Sequence, residues 1–310
     1  MAVSRFVLLA NALVLILVAH VPGAQAGTGD NYIPSYNRAL GSSGCGGTGC
    51  GVAFSVDLKT GAEKTLHSFQ ENGSDGYYPV GGLVQIGDTF YGATEYGGIG
   101  GAGTVFTISF SVKSKSGAER VLYSFNGGTE GSPGTARLLD IGKTLYGTTP
   151  LGGDLYGGTV FSVDRTTGVK RLLHSFGSGS DGYDPESGLT AVGSLLYGTT
   201  CSGGEFSRGT VYSINPGGGE EVVLFSFDGA NGACPVTNLI NVGGTLYGTT
   251  QSGGTGSACG EGCGTLFSID PSTGAEAVIY SFNGSDGIGP TSDLMYIHDE
   301  LYGTTYLGGP

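Results

Sequence analysis

The five-residue word LYGTT occurs four times in this chain, and a fifth near copy reads FYGAT. The tyrosines of these copies are Tyr91, Tyr146, Tyr197, Tyr247 and Tyr302, at intervals of 55, 51, 50 and 55 residues. A period of about 50 residues is typical of repeat arrays and propellers. The chain is therefore expected to fold as a series of similar units.

Two other words recur in phase with the first. GTVF at 103–106 returns at 158–161, as GTVY at 209–212, as GTLF at 264–267 and weakly as GVAF at 51–54, and SF follows each of these words. Each unit then holds four strand candidates, named here a (LYGTT), b (GTVFSVD), c (VKRLLHSF) and d (GLTAV or NLINV). All are short, rich in β-branched and aromatic residues, and bounded by turn residues. The sequence predicts an all-β fold.

Glycine is unusually common, at 63 of 310 residues. Its spacing follows no three-residue period, proline is only 11, and apolar residues make up 38%, so neither collagen nor disorder accounts for the composition. Short strands separated by glycine turns account for it better.

Four antiparallel strands in about 50 residues are the size of a propeller blade. One such sheet cannot bury both faces, so neighbouring units must stack. The last strand a has no b after it, and the first b has only the degenerate segment RALGSSG at 38–44 before it. We therefore predict a single β-propeller over 38–310, with five four-stranded blades closed by pairing of the final LYGTT beside GVAFSVD. An open linear array and a truncated chain are the alternatives.

The first 26 residues have the layout of a secretory signal peptide. Arg5 supplies a positive start, FVLLANALVLILVA is apolar, and AQA at 24–26 is a cleavage site that makes Ala26 the last residue removed. The apolar run is short for a membrane span. We predict a signal peptide at 1–26, a short linker at 27–37 and no membrane span after cleavage; an uncleaved anchor is the alternative.

The chain is acidic, with a formal net charge of −13. Binding to nucleic acid needs a basic face, so this balance argues against nucleic acid as a partner. Only 13% of the residues are charged, which favours a role of the acidity in solubility.

Six cysteines behind an export signal indicate disulfide bonds. Their positions in the repeat favour the pairs Cys45–Cys50, Cys201–Cys234 and Cys259–Cys263. A metal site built from the close pairs is the alternative, but no histidine accompanies them. We expect no metal and no cofactor.

Taken together, the words YGTT, GG, GTVFSVD, TG, LHSF and GL closely resemble the Gloeobacter/Verrucomicrobia tandem repeat of exported bacterial proteins, over residues 38 to 310. More loosely, the GG after strand a is similar to Kelch-type propeller blades. The resemblance implies an exported repeat protein whose molecular function is not established. We expect a secreted or extracytoplasmic protein, with the cell surface as an alternative location.

The a–b and c–d loops emerge on one face of a four-stranded meander, and here they are long and variable. This long-loop face is the candidate binding surface. Its candidate ligand-binding aromatics are Tyr77, Tyr78, Tyr96, Tyr156, Tyr183 and Phe206. Exposed rings near acids suit the apolar faces and hydroxyls of sugars. In the alternative interpretation, the rings only cap the blades.

Two further sets of residues are weaker candidates. Asp75, Asp181 and Asp286 recur in the word SDG, but one aspartate per loop is too few for Ca²⁺, and a turn role is simpler. His67 and His174 share a repeat position that holds tyrosine or phenylalanine elsewhere, which indicates packing rather than a catalytic base.

We therefore expect a non-catalytic monomer that binds a carbohydrate or protein ligand, such as a polysaccharide or a surface protein, on the long-loop face. One alternative is a glycan hydrolase or lyase in which Glu95, Asp154 and Glu205 converge near the propeller axis. Another is a purely structural envelope component.

Overall fold

The computed structural model describes residues 49–111, 116–134, 137–177 and 180–309, together with the backbone of Val18 and Ala19. The rest of the predicted signal peptide, the linker at 27–37, the segment at 38–44 and Cys45 lie outside these residues. Within them, regular structure is β apart from one 3₁₀ turn at Gly128–Glu130. The prediction of an all-β fold is confirmed. No helix in the described part of the chain is long and apolar enough to cross a membrane.

Most of the strands form five sheets, numbered here in chain order. Sheet 1 consists of β1 (Val18–Ala19), β2 (Val52–Val56) and β3 (Glu63–Ser68). Sheet 2 consists of β4 (Gly76–Ile86), β5 (Thr89–Gly97), β6 (Thr104–Ser111) and β7 (Ser116–Ser124). Sheet 3 consists of β8 (Leu139–Ile141), β9 (Thr144–Thr149), β10 (Thr159–Asp164) and β11 (Lys170–Ser175).

The second half repeats this plan. The next strands are β12 (Gly182–Tyr183), β13 (Thr190–Val192), β14 (Leu195–Thr200), β15 (Ser202–Gly203), β16 (Thr210–Ile214) and β17 (Glu221–Ser226). Sheet 4 is β13-β14-β16-β17, and β12 pairs separately with β15. Sheet 5 consists of β18 (Ile240–Val242), β19 (Thr245–Thr250), β20 (Thr265–Ile269) and β21 (Glu276–Ser281). The chain ends with β22 (Ile288–Pro290), β23 (Met295–Ile297), β24 (Glu300–Tyr302) and β25 (Thr305–Leu307).

Each complete sheet is an antiparallel meander in the order d, a, b, c. Every b–c pair contains a register shift at the same place, for example between Val160 and Phe161 in β10. Such bulges increase the local twist of a sheet. The b–c turns of sheets 1, 3 and 5 are closed by an aspartate whose carboxylate accepts two backbone N–H groups, as Asp164 does from Thr166 and Thr167.

Adjacent sheets are held together by one recurring aromatic contact. The phenylalanine that follows each strand c packs edge-to-face on an aromatic ring of strand b in the next sheet, with ring centroids 5.0 or 5.1 Å apart. The four pairs are Phe69–Phe106, Phe125–Phe161, Phe176–Tyr212 and Phe227–Phe267. Seven of these eight rings are at most 1% exposed, so the pairs form the centre of the core.

The glycine of LYGTT is required by this core. Gly147 lies opposite Phe161 across β9 and β10. A Cβ at Gly147 would lie 2.6 Å from Phe161 Cζ and 2.9 Å from Leu138 Cδ2. The equivalent Gly92 and Gly248 meet the same two side-chain types. A phenylalanine ring and a leucine therefore fill the space that a side chain at this glycine would occupy.

The threonines of the repeat words form a buried hydroxyl pair in each complete sheet. In sheet 4 the Oγ1 atoms of Thr200 and Thr210 are 2.8 Å apart, and Thr200 Oγ1 also accepts the Thr210 N–H and donates to the Ser202 carbonyl. The equivalent pairs are Thr94–Thr104, Thr149–Thr159 and Thr250–Thr265. These contacts satisfy hydroxyls that burial would otherwise leave without partners.

A sharp turn before proline carries the c–d loop across to the next sheet. Cys234 has a φ of 54°, and its N–H donates to the Arg208 carbonyl at 2.9 Å. Pro235 then packs on Gly209, where a Cβ would lie only 2.9 Å from Pro235 Cδ. The residues Tyr78, Asp184 and Gly289 repeat this geometry, each with positive φ and each before a proline.

Two of the three predicted disulfides are present, Cys201–Cys234 and Cys259–Cys263. Cys50 is also disulfide-bonded, while its predicted partner Cys45 lies outside the described residues. The Cys201–Cys234 bond spans 33 residues and joins the a–b and c–d loops at the sheet 4–sheet 5 junction. A loop of this length corresponds to about 3–4 kcal/mol of stabilisation in the chain-entropy estimate.

The predicted closure of the ring is not confirmed. The free edge of β2 is occupied by β1, through Val18↔Ala53 and Ala19↔Val52. The final LYGTT instead pairs within its own unit, β24 with β23 and β25 with β22. Among the residues that the structure describes, sheet 1 therefore has no strand d, and the hairpin β23–β24 has no strands b and c.

We predict that Gly147→Ala destabilises the protein by about 1–3 kcal/mol, because the added methyl group overpacks the site beneath Phe161. Urea unfolding followed by circular dichroism measures the change. Gly218→Ala is the matched control, since a Cβ at Gly218 has no atom within 4 Å and its φ is not in the left-handed region. Equal stability of the two variants would contradict the steric explanation.

Candidate functional site

Three of the predicted aromatics form one cluster. The ring centroids of Tyr77, Tyr78 and Tyr96 are 5.5 to 5.8 Å apart, and the Tyr77 and Tyr96 rings are stacked. Tyr77 lies in β4 and Tyr96 in β5, directly opposite each other, so the sequence analysis was wrong to place them in loops. Successive side chains of a strand normally point to opposite faces. The φ of 54° at Tyr78 breaks this alternation and brings its ring beside the other two.

The other predicted rings are exposed and distributed over two sheets. Tyr156 lies in the a–b loop of sheet 3, Phe206 in that of sheet 4, and Tyr183 in β12. Tyr156 has a φ of 60° and Ser207, next to Phe206, one of 56°. Of the six candidates, the structure thus brings together Tyr77, Tyr78 and Tyr96 and places the remaining three as single exposed rings.

The a–b loops are fastened to the outermost strand of their own sheet. The backbone N–H of Asp154 donates to Ser175 Oγ at 2.8 Å, and that of Glu205 donates to Ser226 Oγ at 3.3 Å. Both serines end strand c, at the opposite edge of the sheet from strand d. Asp154 and Glu205 therefore lie over the outer strands, and the predicted convergence of these acids near the axis is not supported.

A cleft of about 380 Å³ is lined by residues from every unit from sheet 2 onward. It is lined by Gly82 within β4 and by residues that precede the other strands d, among them Arg137, Glu186, Asn238 and Asp293. Asn238 donates to Asp293 through its backbone and its side chain, at 2.9 and 2.8 Å. The strands d therefore face a common axis, and sheet 2 and the C-terminal hairpin meet the same cleft.

Sequence reasoning missed this axial cleft. A signal was present, because the residue before the first leucine of strand d is glycine in two units and arginine, asparagine or aspartate in the other three, while the leucine is the same in all five. Polar variation next to a constant leucine indicates a shared polar surface.

The junctions between sheets contain clusters of titratable groups. His67 Nε2 lies 3.0 Å from Asp75 Oδ2, and Glu119 of the next sheet completes the group. His174, Asp181 and Glu221 form the same arrangement between sheets 3 and 4, with a nitrogen–oxygen distance of 3.2 Å.

The histidines also pack, as the sequence predicted: the His67 ring lies edge-on to Phe69 and the His174 ring to Phe176. The glutamates of strand c were not considered as site residues. They stand six positions before the phenylalanine of SF, at Glu63, Glu119, Glu221 and Glu276, with Lys170 in sheet 3.

Burial raises the pKa values of three of these glutamates. It raises the pKa of Glu119, and Asp75 adds to the effect. It raises the pKa of Glu221 to about 7, with a further contribution from Asp181. At the junction of sheets 4 and 5, burial and then Asp228 raise the pKa of Glu276 to about 7 from 4.5.

This shift at Glu276 predicts a pH dependence. A carboxyl group whose pKa is raised on folding holds a proton that the unfolded chain releases above pH 4.5, so its stabilising contribution is present below pH 4.5 and lost as pH rises through about 7. We expect Glu276→Gln to reduce the fall in melting temperature across this range. Thermal unfolding with a chelator in every buffer measures it. Glu220→Gln, an exposed neighbour of a junction glutamate, should keep the wild-type slope, and an unchanged slope in Glu276→Gln would contradict the prediction.

The fold has counterparts among solved structures. A chain of a nidogen/laminin complex is 15% identical and has a TM-score of 0.46, with coverage of 75% of this chain and 72% of that chain. TolB from Acinetobacter baumannii is 14% identical with a TM-score of 0.42, and the coverage is 78% and 52%. An oligogalacturonate lyase in complex with manganese is 16% identical with a TM-score of 0.50, and the coverage is 76% and 61%. At 16% identity, the likeness to the lyase concerns the fold alone. This chain spans only about half of the TolB chain.

The repeat itself identifies the family. No curated protein matches the sequence. Residues 108–310, about two thirds of the chain, match the family model described as the Gloeobacter/Verrucomicrobia repeat. With its in-phase words and its propeller-like series of four-stranded sheets, this chain belongs to the Gloeobacter/Verrucomicrobia repeat family.

Proposed function

We propose that this chain is an exported, non-catalytic repeat scaffold that binds a carbohydrate on its long-loop face. Export rests on the predicted signal peptide at 1–26. The two disulfides agree with an oxidising compartment, since such bonds persist mainly outside the cytosol.

The observation that carries the binding proposal is the cluster of Tyr77, Tyr78 and Tyr96. Its rings are partly exposed and lie next to each other, which gives an aromatic surface that also carries three hydroxyl groups. Sugar rings present apolar C–H faces and equatorial hydroxyls, and stacked tyrosines match both.

A glycan hydrolase is less well supported than a binding scaffold. A pair of catalytic carboxylates has to flank one bond, at about 5–9.5 Å from each other. Asp154 and Glu205 belong to the loops of two different sheets, and each loop is held over its own outer strand.

A glycan array tests the proposed function. We expect specific retention of one glycan class without release of product, and Tyr96→Ala to weaken that binding by about 10-fold or more, since buried aromatic contacts are typical binding hot spots. Tyr280→Ala is the matched control, because this exposed tyrosine lies on the outermost strand β21. Product release would establish catalysis instead. If this chain retains a protein ligand but no glycan, the protein-binding alternative is correct. If it binds neither, a structural role remains.

We further propose that the chain closes into a five-sheet ring once residues 1–26 are removed. In the described part of the chain, sheet 1 has β1 in the place of strand a and no strand d, and the hairpin β23–β24 would supply one strand of each type. Phe54 and Phe282 are only half-buried, whereas their counterparts in the inner sheets form the fully buried aromatic pairs. Tyr302 is 47% exposed, compared with 4% for Tyr197 at the same repeat position. Closure would bury all three rings.

A cysteine cross-link tests the closure. By the register of β9 and β10, Tyr302 should lie opposite Ser55, as Tyr146 lies opposite Ser162. We expect Ser55→Cys with Tyr302→Cys to form a disulfide in the chain that starts at Gly27, detected by mass spectrometry of peptides, and not in the chain that keeps residues 1–26. Tyr146→Cys with Ser162→Cys is the positive control in both chains. If the Ser55→Cys and Tyr302→Cys pair forms no disulfide in the shorter chain while the control pair does, the ring proposal is refuted. The binding proposal is not affected by that result.

A further inference from the structure

The junctions of sheets 1 and 2 and of sheets 3 and 4 share one set of potential ligand atoms. In the first, an imidazole nitrogen of His67 and carboxylate oxygens of Asp75 and Glu119 all lie within 4.8 Å of one another. In the second, His174, Asp181 and Glu221 do the same. Two of the three groups come from one repeat unit and the glutamate from the next sheet, so each cluster bridges an interface.

The protein leaves part of the hydrogen-bonding capacity of the carboxylates in the first cluster unused. Asp75 is 7% exposed, and its Oδ2 accepts from His67 and from the Gln70 N–H at 3.0 Å. Its Oδ1 and Glu119 Oε1 are buried and have no hydrogen-bond partner within the described part of the chain. Asp181 Oδ1 and Glu221 Oε1 are in the same position in the second cluster. Two facing carboxylates with buried free oxygens are unfavourable unless a cation or a proton lies between them.

At the sheet 2–sheet 3 junction, the equivalent site contains a cation that the protein itself supplies. There Tyr123 replaces the histidine, Glu130 the aspartate and Lys170 the glutamate. Tyr123 donates to Glu130 at 2.8 Å, and the Lys170 ammonium lies 5.7 Å from the centroid of the Tyr123 ring and acts on Glu130. The protein therefore supplies a positive charge of its own at the junction that lacks the second carboxylate.

The donor set also fits a particular class of cation. Two ligands of a tetrahedral Zn²⁺ with bonds of about 2.0–2.1 Å are about 3.3 Å apart, close to the 3.0 and 3.2 Å between histidine and aspartate in the two clusters. One imidazole and two carboxylates leave a position for water, as in three-ligand zinc sites. The first cluster opens into a cleft that Asn72 and Ser74 also line, so an ion can enter from solvent.

We propose that each of these two clusters binds one divalent transition-metal ion of the Zn²⁺ type, which links adjacent sheets. His67, Asp75 and Glu119 are the ligands at the first junction, and His174, Asp181 and Glu221 at the second. This assignment differs from the sequence-based expectation that the protein carries no metal, since that expectation considered the histidines without the glutamates of the next sheet. It does not depend on the ligand of the long-loop face.

Calorimetric titration of the purified, chelator-treated protein with ZnCl₂ tests the proposal. We expect two ions per chain, one ion in His67→Phe, one in His174→Phe and none in the double variant. Phenylalanine is the chosen replacement because Phe225 occupies this position at the sheet 4–sheet 5 junction. Absence of saturable binding to the wild-type protein, or an unchanged stoichiometry in the double variant, would overturn the proposal.

Two further variants separate ligation from folding. Glu119→Gln keeps the shape of the side chain and should also remove one ion, since an amide is a poor zinc ligand. Tyr123→Phe changes the equivalent position at the junction that contains Lys170, and it should leave two ions. Zinc should raise the melting temperature of the wild-type protein and of Tyr123→Phe, and it should not raise that of the double histidine variant. A rise that persists in the double variant would place the zinc elsewhere.

Discussion

The contact that organises this protein is the aromatic pair between neighbouring sheets. Each of sheets 2 to 4 gives the next sheet a phenylalanine at the end of strand c and receives another on the ring of its own strand b, as Phe125 packs on Phe161 and Phe176 on Tyr212. A single sheet of about 50 residues cannot bury such rings alone. The receiving ring also lies over the glycine of strand a, so a larger residue there would displace it. The three repeat words are thus parts of one packing unit.

Polar contacts then fix how the sheets follow one another. The threonine pairs hold the ends of strands a and b together inside each sheet. The turn before proline carries the chain from one sheet to the next, with a backbone hydrogen bond at Cys234 and the equivalent residues. At the same junctions, histidines, acids and one lysine face each other near the outer strands. Hydrophobic pairs therefore supply most of the interface, and charged groups distinguish one junction from another.

Much of the fold could be predicted from the sequence, because the repeat makes each strand visible several times. The four strands, their order and two disulfides follow from words in phase. The extension of β4 and β5 through Tyr77 and Tyr96 could not be predicted, because the positive φ of Tyr78 recurs at the equivalent residues of other units and no repeat word marks the longer strands. The junction clusters were missed because His67 and Glu119 are 52 positions apart and belong to different units. Contacts between units are not visible in the pattern of a single unit.

Sheets and repeat units are offset along the chain. Strand d is the last strand of one repeat unit, but it pairs with strand a of the following unit. Each sheet therefore takes its strands from two units. Duplication of any stretch one period long would insert one whole sheet, wherever the breakpoints fall, and both of its new neighbours would meet it through the aromatic contact already in use. A gene of this type can therefore gain or lose one repeat unit at a time without a new kind of interface between sheets. Only the angle between adjacent sheets has to change.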